Sequence, residues 1–233
     1  MKKLLITLVL LTISIPVWGA STRQNRGDSL IFVGISPVGL HIPTLVTMPV
    51  GLGVYLGKNF LIGAETGNVT FDTDSDGSDG DSSAEGSYNN SGIYARWFPG
   101  TNSFNLGLAL HKRIFSATAT ASSFDPTYGV VDVEASLDAD ATVGSVILGN
   151  QWMMDFGLVL AMDWIIVSGL IDSKVDSSFS GRVVTSSGQV ISIEELDPET
   201  VADAERELNS IGEDINTISA FPGILVFTIG WAF

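Results

Sequence analysis

Segments in which every second residue is apolar constrain this chain more than any other feature, because a period of two makes strands and gives each strand two unlike faces. In residues 103–120, Phe104, Leu106, Leu108 and Leu110 take one side and Asn105, Gly107, Ala109 and His111 the other. Residues 155–170 repeat the pattern, with Phe156, Leu158, Leu160, Met162, Trp164 and Ile166 set against Gly157, Val159, Ala161, Asp163 and Ile165. In residues 219–233, Leu225, Phe227, Ile229, Trp231 and Phe233 oppose Ile224, Val226, Thr228, Gly230 and Ala232. Segments 29–40, 44–57, 59–71, 87–98 and 136–150 bring the count to eight.

A soluble sandwich would point its large apolar face into a core and cover the other with Lys, Glu and Arg. Here the second faces carry Gly, Ala, Asn and Thr. Small residues suit the inner wall of a narrow barrel, which side chains alone can fill, while the large apolar face meets lipid. The expectation is an all-β fold, a closed antiparallel up-and-down transmembrane β-barrel of about eight strands.

Charge supports that reading. Of 26 acidic residues, 22 fall in three stretches, residues 72–85, 125–140 and 172–214. The connections at 57–59, 99–102 and 150–155 are short, whereas those at 72–86, 121–135 and 171–218 are long and acidic. Short turns at one end and long loops at the other are what outer-membrane barrels show. The formal net charge of −15 argues against nucleic acid. Against the 22 acids the three stretches hold only Lys174, Arg182 and Arg206, so they would meet anionic lipopolysaccharide through divalent cations.

The chain opens with Met1-Lys2-Lys3, an apolar run over residues 4–15 and small residues at Gly19-Ala20. That order is a secretory signal peptide, and the run is too short to span a bilayer as a helix. Residues 1–20 are therefore read as a cleaved signal and 21–233 as one barrel domain. With no cysteine in an exported chain, closed hydrogen bonding must hold the fold instead of disulfides.

Aromatics gather near strand ends, as interface girdles do. Phe60, Trp97, Phe98, Phe104, Trp152, Phe156, Trp231 and Phe233 would ring one end, and Phe71, Phe115, Trp164 and Phe221 the other. The last long loop contains one short helix. Asp197-Pro198-Glu199 caps and starts it, and Val201, Ala204, Leu208, Ile211 and Ile215 form an apolar stripe that would cap the barrel mouth or cover its own loop, or else meet a partner or lipid headgroups.

The final residues, FPGILVFTIGWAF, resemble the terminal β-signal of bacterial outer-membrane proteins, with Phe227, Ile229, Trp231 and Phe233 in its alternating positions. That resemblance implies recognition by the barrel insertion machinery. In strand number and turn alternation the chain resembles the class of small OmpA-like, OmpX-like and OmpW-like barrels. The resemblance implies a place in the outer membrane, amid the lipid bilayer and lipopolysaccharide, with both mature termini periplasmic. It also suggests, as an alternative, an OmpW-like narrow channel for a small or apolar solute.

Three groups of residues bear on chemistry. The run DTDSDGSDGD places Asp72, Asp74, Asp76, Asp79 and Asp81 where an EF-hand loop would begin, so calcium is a candidate ligand, although the twelfth position is Ser83 instead of Glu. Strand parity puts Glu65, Arg96, His111, Arg113 and Asp163 on the lumen face, where they would pair into a network that plugs the interior. Neither His41, beside Ile42 and Pro43, nor His111, beside Lys112 and Arg113, has the nucleophile and base context of acyl transfer. The expectation is a non-catalytic protein of surface-structural, adhesive or envelope-integrity role with no cofactor beyond calcium. A lipid-modifying enzyme is the remote alternative.

Overall fold

A computed structural model describes residues 19–77, 80–100, 102–126, 129–185 and 187–233. The signal segment lies outside them, except for Gly19 and Ala20, which begin a helix. The elements are α1 (Gly19–Asp28), β1 (Ile31–Leu40), α2 (Ile42–Thr47), β2 (Val50–Leu56), β3 (Phe60–Gly77), β4 (Gly80–Trp97) and β5 (Phe104–Asp125), then β6 (Gly129–Met153), β7 (Leu158–Val184), β8 (Val190–Ser192), α3 (Ile193–Leu196), α4 (Pro198–Ser219) and β9 (Gly223–Ala232).

Sequential strands from β1 to β7 pair antiparallel, β7 pairs β9, and β9 pairs β1. Eight strands thus close in a ring, and β8 adds to the far end of β7 as a hairpin outside it. Closure leaves no backbone edge within the ring, the condition for crossing lipid with strands.

The two faces of the ring are as unlike as the pattern requires. Phe32, Tyr55, Leu61, Tyr94, Ile147, Met153 and Val159 fill the interior. The outward positions are apolar and bare: Val38 is 61% exposed, Ile93 61% and Leu108 63%. An apolar girdle this continuous far exceeds the patches that soluble monomers carry.

The structure corrects the strand boundaries. β3 to β7 run for 18, 18, 22, 25 and 27 residues, whereas crossing a bilayer takes roughly 9–11. Most of what reads as long loop at 72–86 and 121–135, and part of that at 171–218, is strand. The period of two continues there with smaller residues: Ala117, Ala119 and Ala121 alternate with Thr118, Thr120 and Ser122, and Val131, Val133 and Ala135 with Asp132, Glu134 and Ser136. Gly129, at φ +102°, opens β6 opposite Asp125, and a Cβ there would lie 2.2 Å from the Val184 carbonyl oxygen.

Residues 44–47, expected in the second strand, instead belong to α2. Pro43 opens that helix, the Thr47 hydroxyl donates to the Pro43 carbonyl, and Met48 ends it in a left-handed conformation at φ 48°. The helix of the last loop starts at the expected Asp197 cap, whose carboxylate accepts from the Thr200 N–H and hydroxyl. It runs for 22 residues, ending four residues beyond Ile215, the last residue of the expected stripe.

Candidate functional site

The lumen gathers the five charged residues that strand parity assigns to it. Arg96 of β4 reaches across the ring to Asp163 of β7 with two hydrogen bonds of 2.5 and 2.7 Å, and donates a third, of 3.2 Å, to the Asn105 side-chain oxygen. His111 Nε2 of β5 stands 2.9 Å from Glu65 Oε1 of β3. Arg113 donates to Asn90 Oδ1 at 3.2 Å and lies 3.4 Å from His41 Nε2. The network is withdrawn from solvent, with Arg113 1% and Asp163 3% exposed.

His41 is the member that strand parity does not supply. It precedes α2, and α2 folds inward with Pro43 and Thr44 buried, so the brief first connection stops the lumen from above. The signal was available in Pro43 and Pro49, which bracket a segment unable to continue as a strand.

Between these groups lies a cavity of about 50 Å³, lined among others by His41, Glu65, Tyr94, Arg96, His111 and Asp163. It suits a few water molecules bound to such polar groups. It is too small for a metabolite.

The opposite end is stopped by α1. Arg26 donates to the Lys58 and Asn102 carbonyls at 3.2 and 3.1 Å, and its guanidinium sits 4.0 Å over the Phe98 ring. Thr22 and Asn25 bond the Met153 backbone. Phe98 is therefore fully buried under Arg26, and it does not belong to the girdle. Phe60, Trp97, Phe104, Phe156, Trp231 and Phe233 do face outward at that end, each at least 38% exposed.

Beyond the ring, β3 to β7 stand up as a five-stranded wall. Its outer face carries Asp72, Asp74, Asp81, Glu85, Glu134, Asp138 and Asp176, and its inner face Phe71, Ala84, Phe115, Ala117, Leu137 and Val175. Phe71 and Phe115, expected in the outer girdle, instead stack on each other above the mouth at 6.0 Å between centroids. Lys112, on the outer face, pairs with Asp140 at 3.1 Å.

α4 lies on the inner face at β6 and β7. The Ser177 hydroxyl donates to the Glu205 carbonyl, Asn216 donates to the Lys174 carbonyl, and Gly212 sits against Val175 and Leu137. The buried side is Val201, Gly212, Asn216 and Ser219. Ile211 of the expected stripe is 45% exposed, because the helix turns its glycine to the wall, where the approach is closest.

The acids that suggested calcium are not gathered in a coiled loop. Asp72 and Asp74 lie on β3 and Asp81 on β4, in a register that pairs Asp72 with Glu85, Asp74 with Ser83 and Asp76 with Asp81. Asp79 lies outside the described residues. Among the described residues no group of three or more His, Cys, Asp or Glu could hold a metal ion.

The last strand closes the ring. Phe227, Ile229 and Trp231 face outward between β1 and β7, Trp231 packs 5.8 Å from Phe156, and Phe233 exchanges backbone hydrogen bonds with Ile31. Leu225, at φ 55°, shifts the alternation by one residue, so Ile224 also faces out. No family model matches the chain, and no curated protein matches it. Among solved structures it is similar to that of Acinetobacter baumannii CarO, at 9% identity and a TM-score of 0.43, and to that of Acinetobacter baumannii CarO2, at 10% identity and a TM-score of 0.42; each covers 88% of this chain and 98% of the other.

Proposed function

We propose that this chain is a non-catalytic barrel of a bacterial outer membrane whose lumen is sealed and whose work is done by the acidic wall standing outside the bilayer, in surface structure, adhesion or envelope integrity. The observation that carries the reading is the ring itself: large apolar residues bare on the outside, a polar network and stoppers within. Water cannot be the solvent for such an outer face, and a transmembrane helix is not needed when strands cross. The side with the short turns, where β1 starts and β9 ends, belongs in the periplasm, and the alternating residues Phe227, Ile229 and Trp231 are those the insertion machinery would read. The wall would then face lipopolysaccharide, with divalent cations between like charges.

The first test joins envelope fractionation to gel mobility with and without boiling. A heat-modifiable band in the outer-membrane fraction is the expected result, and a soluble periplasmic protein without a mobility shift refutes the reading. The alternative, a narrow channel, draws support from the polar lining of the 50 Å³ cavity. Planar-bilayer recording separates the two: the sealed lumen gives no steady openings, and steady openings establish the channel.

A further inference from the structure

β3 pairs with β2 only as far as Thr66, opposite Val50. Residues 68–77 continue in register with β4, and among the described residues no strand lies on their other side. Thr47 and Pro49 cover the base of this edge at Gly67. A free edge ten residues long presents unpaired N–H and C=O groups at every second residue, a template for another chain. In the wall it stands at the end farthest from the β7 side that α4 covers.

The side chains flanking the edge say what would fit. On the inner face, Val69 is half-buried and Phe71 stacks on Phe115; on the outer face Asp72 and Asp74 are exposed. A second copy of the same edge would bring acid beside acid, and like charges on neighbouring strands repel whereas opposite charges stabilise. The edge is therefore selective against itself and favourable to a cationic strand.

We propose that residues 68–77 of β3 take an added strand from a partner protein, an extended segment that alternates basic residues beside Asp72 and Asp74 with apolar residues beside Val69 and Phe71. Backbone hydrogen bonds supply the affinity and the alternate side chains the selectivity, as in other strand additions. The inference deepens the adhesive reading of the wall and rests on that reading for the exposure of the edge outside the bilayer.

The test uses the full chain purified in detergent and a fluorescent ten-residue peptide alternating lysine and valine. Two further peptides carry N-methyl groups at every second residue, one in each register, and a fourth replaces lysine by glutamate. N-methylation removes the backbone donors on one side of a strand and keeps the charge. The expected result is saturable binding of the first peptide, a loss of at least about tenfold for one N-methylated register, and no binding of the glutamate peptide. Asp72→Asn with Asp74→Asn should weaken the lysine peptide in a protein that keeps its heat-modifiable band. Equal binding of all three lysine peptides would mean mere attraction to an acidic surface and would overturn the proposal, as would no binding of the first. A heat-modifiable protein indifferent to the peptides overturns the edge alone; a protein without that band overturns the barrel as well.

Discussion

Arg96 and Asp163 meet across the lumen, from strands that do not pair with each other, so one ion pair ties two walls of the ring. Both side chains are nearly withdrawn from solvent, at 12% and 5% exposure. A buried charge left without its partner costs far more than a well-packed apolar replacement of both. Asp163→Asn should therefore destabilise the barrel by about 3–5 kcal/mol, read as a lower urea midpoint for loss of the heat-modifiable band. The double replacement Arg96→Met with Asp163→Leu should recover most of that loss. A double variant no better than the single would show that the pair acts by something other than mutual neutralisation.

The stopper at the turn end makes a separate claim. Arg26 is held by two backbone carbonyls and the Phe98 ring, contacts that join α1 to the turns after β2 and β4. Arg26→Ala removes all three and should release α1 while the ring stays closed. Limited proteolysis in detergent should then trim α1, with the boiled and unboiled gel bands still distinct. Proteolysis unchanged from the wild type would mean that Thr22 and Asn25 hold the helix by themselves.

How far the sequence could be read follows from residue size. Where the alternation used Leu, Ile and Phe, as in residues 104–110, the strand and its outward face were legible, and the lumen set Glu65, Arg96, His111, Arg113 and Asp163 came with it. Where the same alternation ran on in Ala, Thr, Ser and Asp, as in residues 117–122, the composition looked like loop although the period was unchanged. The wall was missed for that reason. His41 was hidden by a different cause: its position depends on α2 folding into the ring, a tertiary choice that no strand parity encodes. Phe71 and Phe115 were placed at the right height and on the wrong face, since a girdle was inferred from position along the strand without parity.

α4 offers a test of how the mouth is covered. A Cβ at Gly212 would lie 2.5 Å from Val175 Cγ1 and 3.0 Å from Leu137 Cδ1, the first of these closer than any packed carbon tolerates. Gly212→Val should lift the helix from the wall and expose it to protease, leaving barrel closure intact because α4 takes no part in the ring. Gly212→Ala should do the same to a lesser degree. Cleavage within α4 that is no faster in the valine variant would show that the wall yields instead.

The outer face of the wall sets acids directly opposite one another, Asp72 with Glu85 and Asp138 with Asp176. Like charges so placed destabilise a sheet; Lys174 pairs with Asp176, and counter-ions must relieve the rest. Calcium should therefore slow proteolysis of the wall at low ionic strength. If screening is the whole cause, magnesium should act at similar concentration, and both effects should fade at high sodium chloride. Asp138→Asn should reproduce part of the protection without any divalent ion, because it removes one member of an opposed pair. A calcium effect that magnesium does not share, and that survives high salt and vanishes in Asp72→Asn, would instead mark coordination by the acids of the β3–β4 hairpin, the chemistry that the run DTDSDGSDGD first suggested.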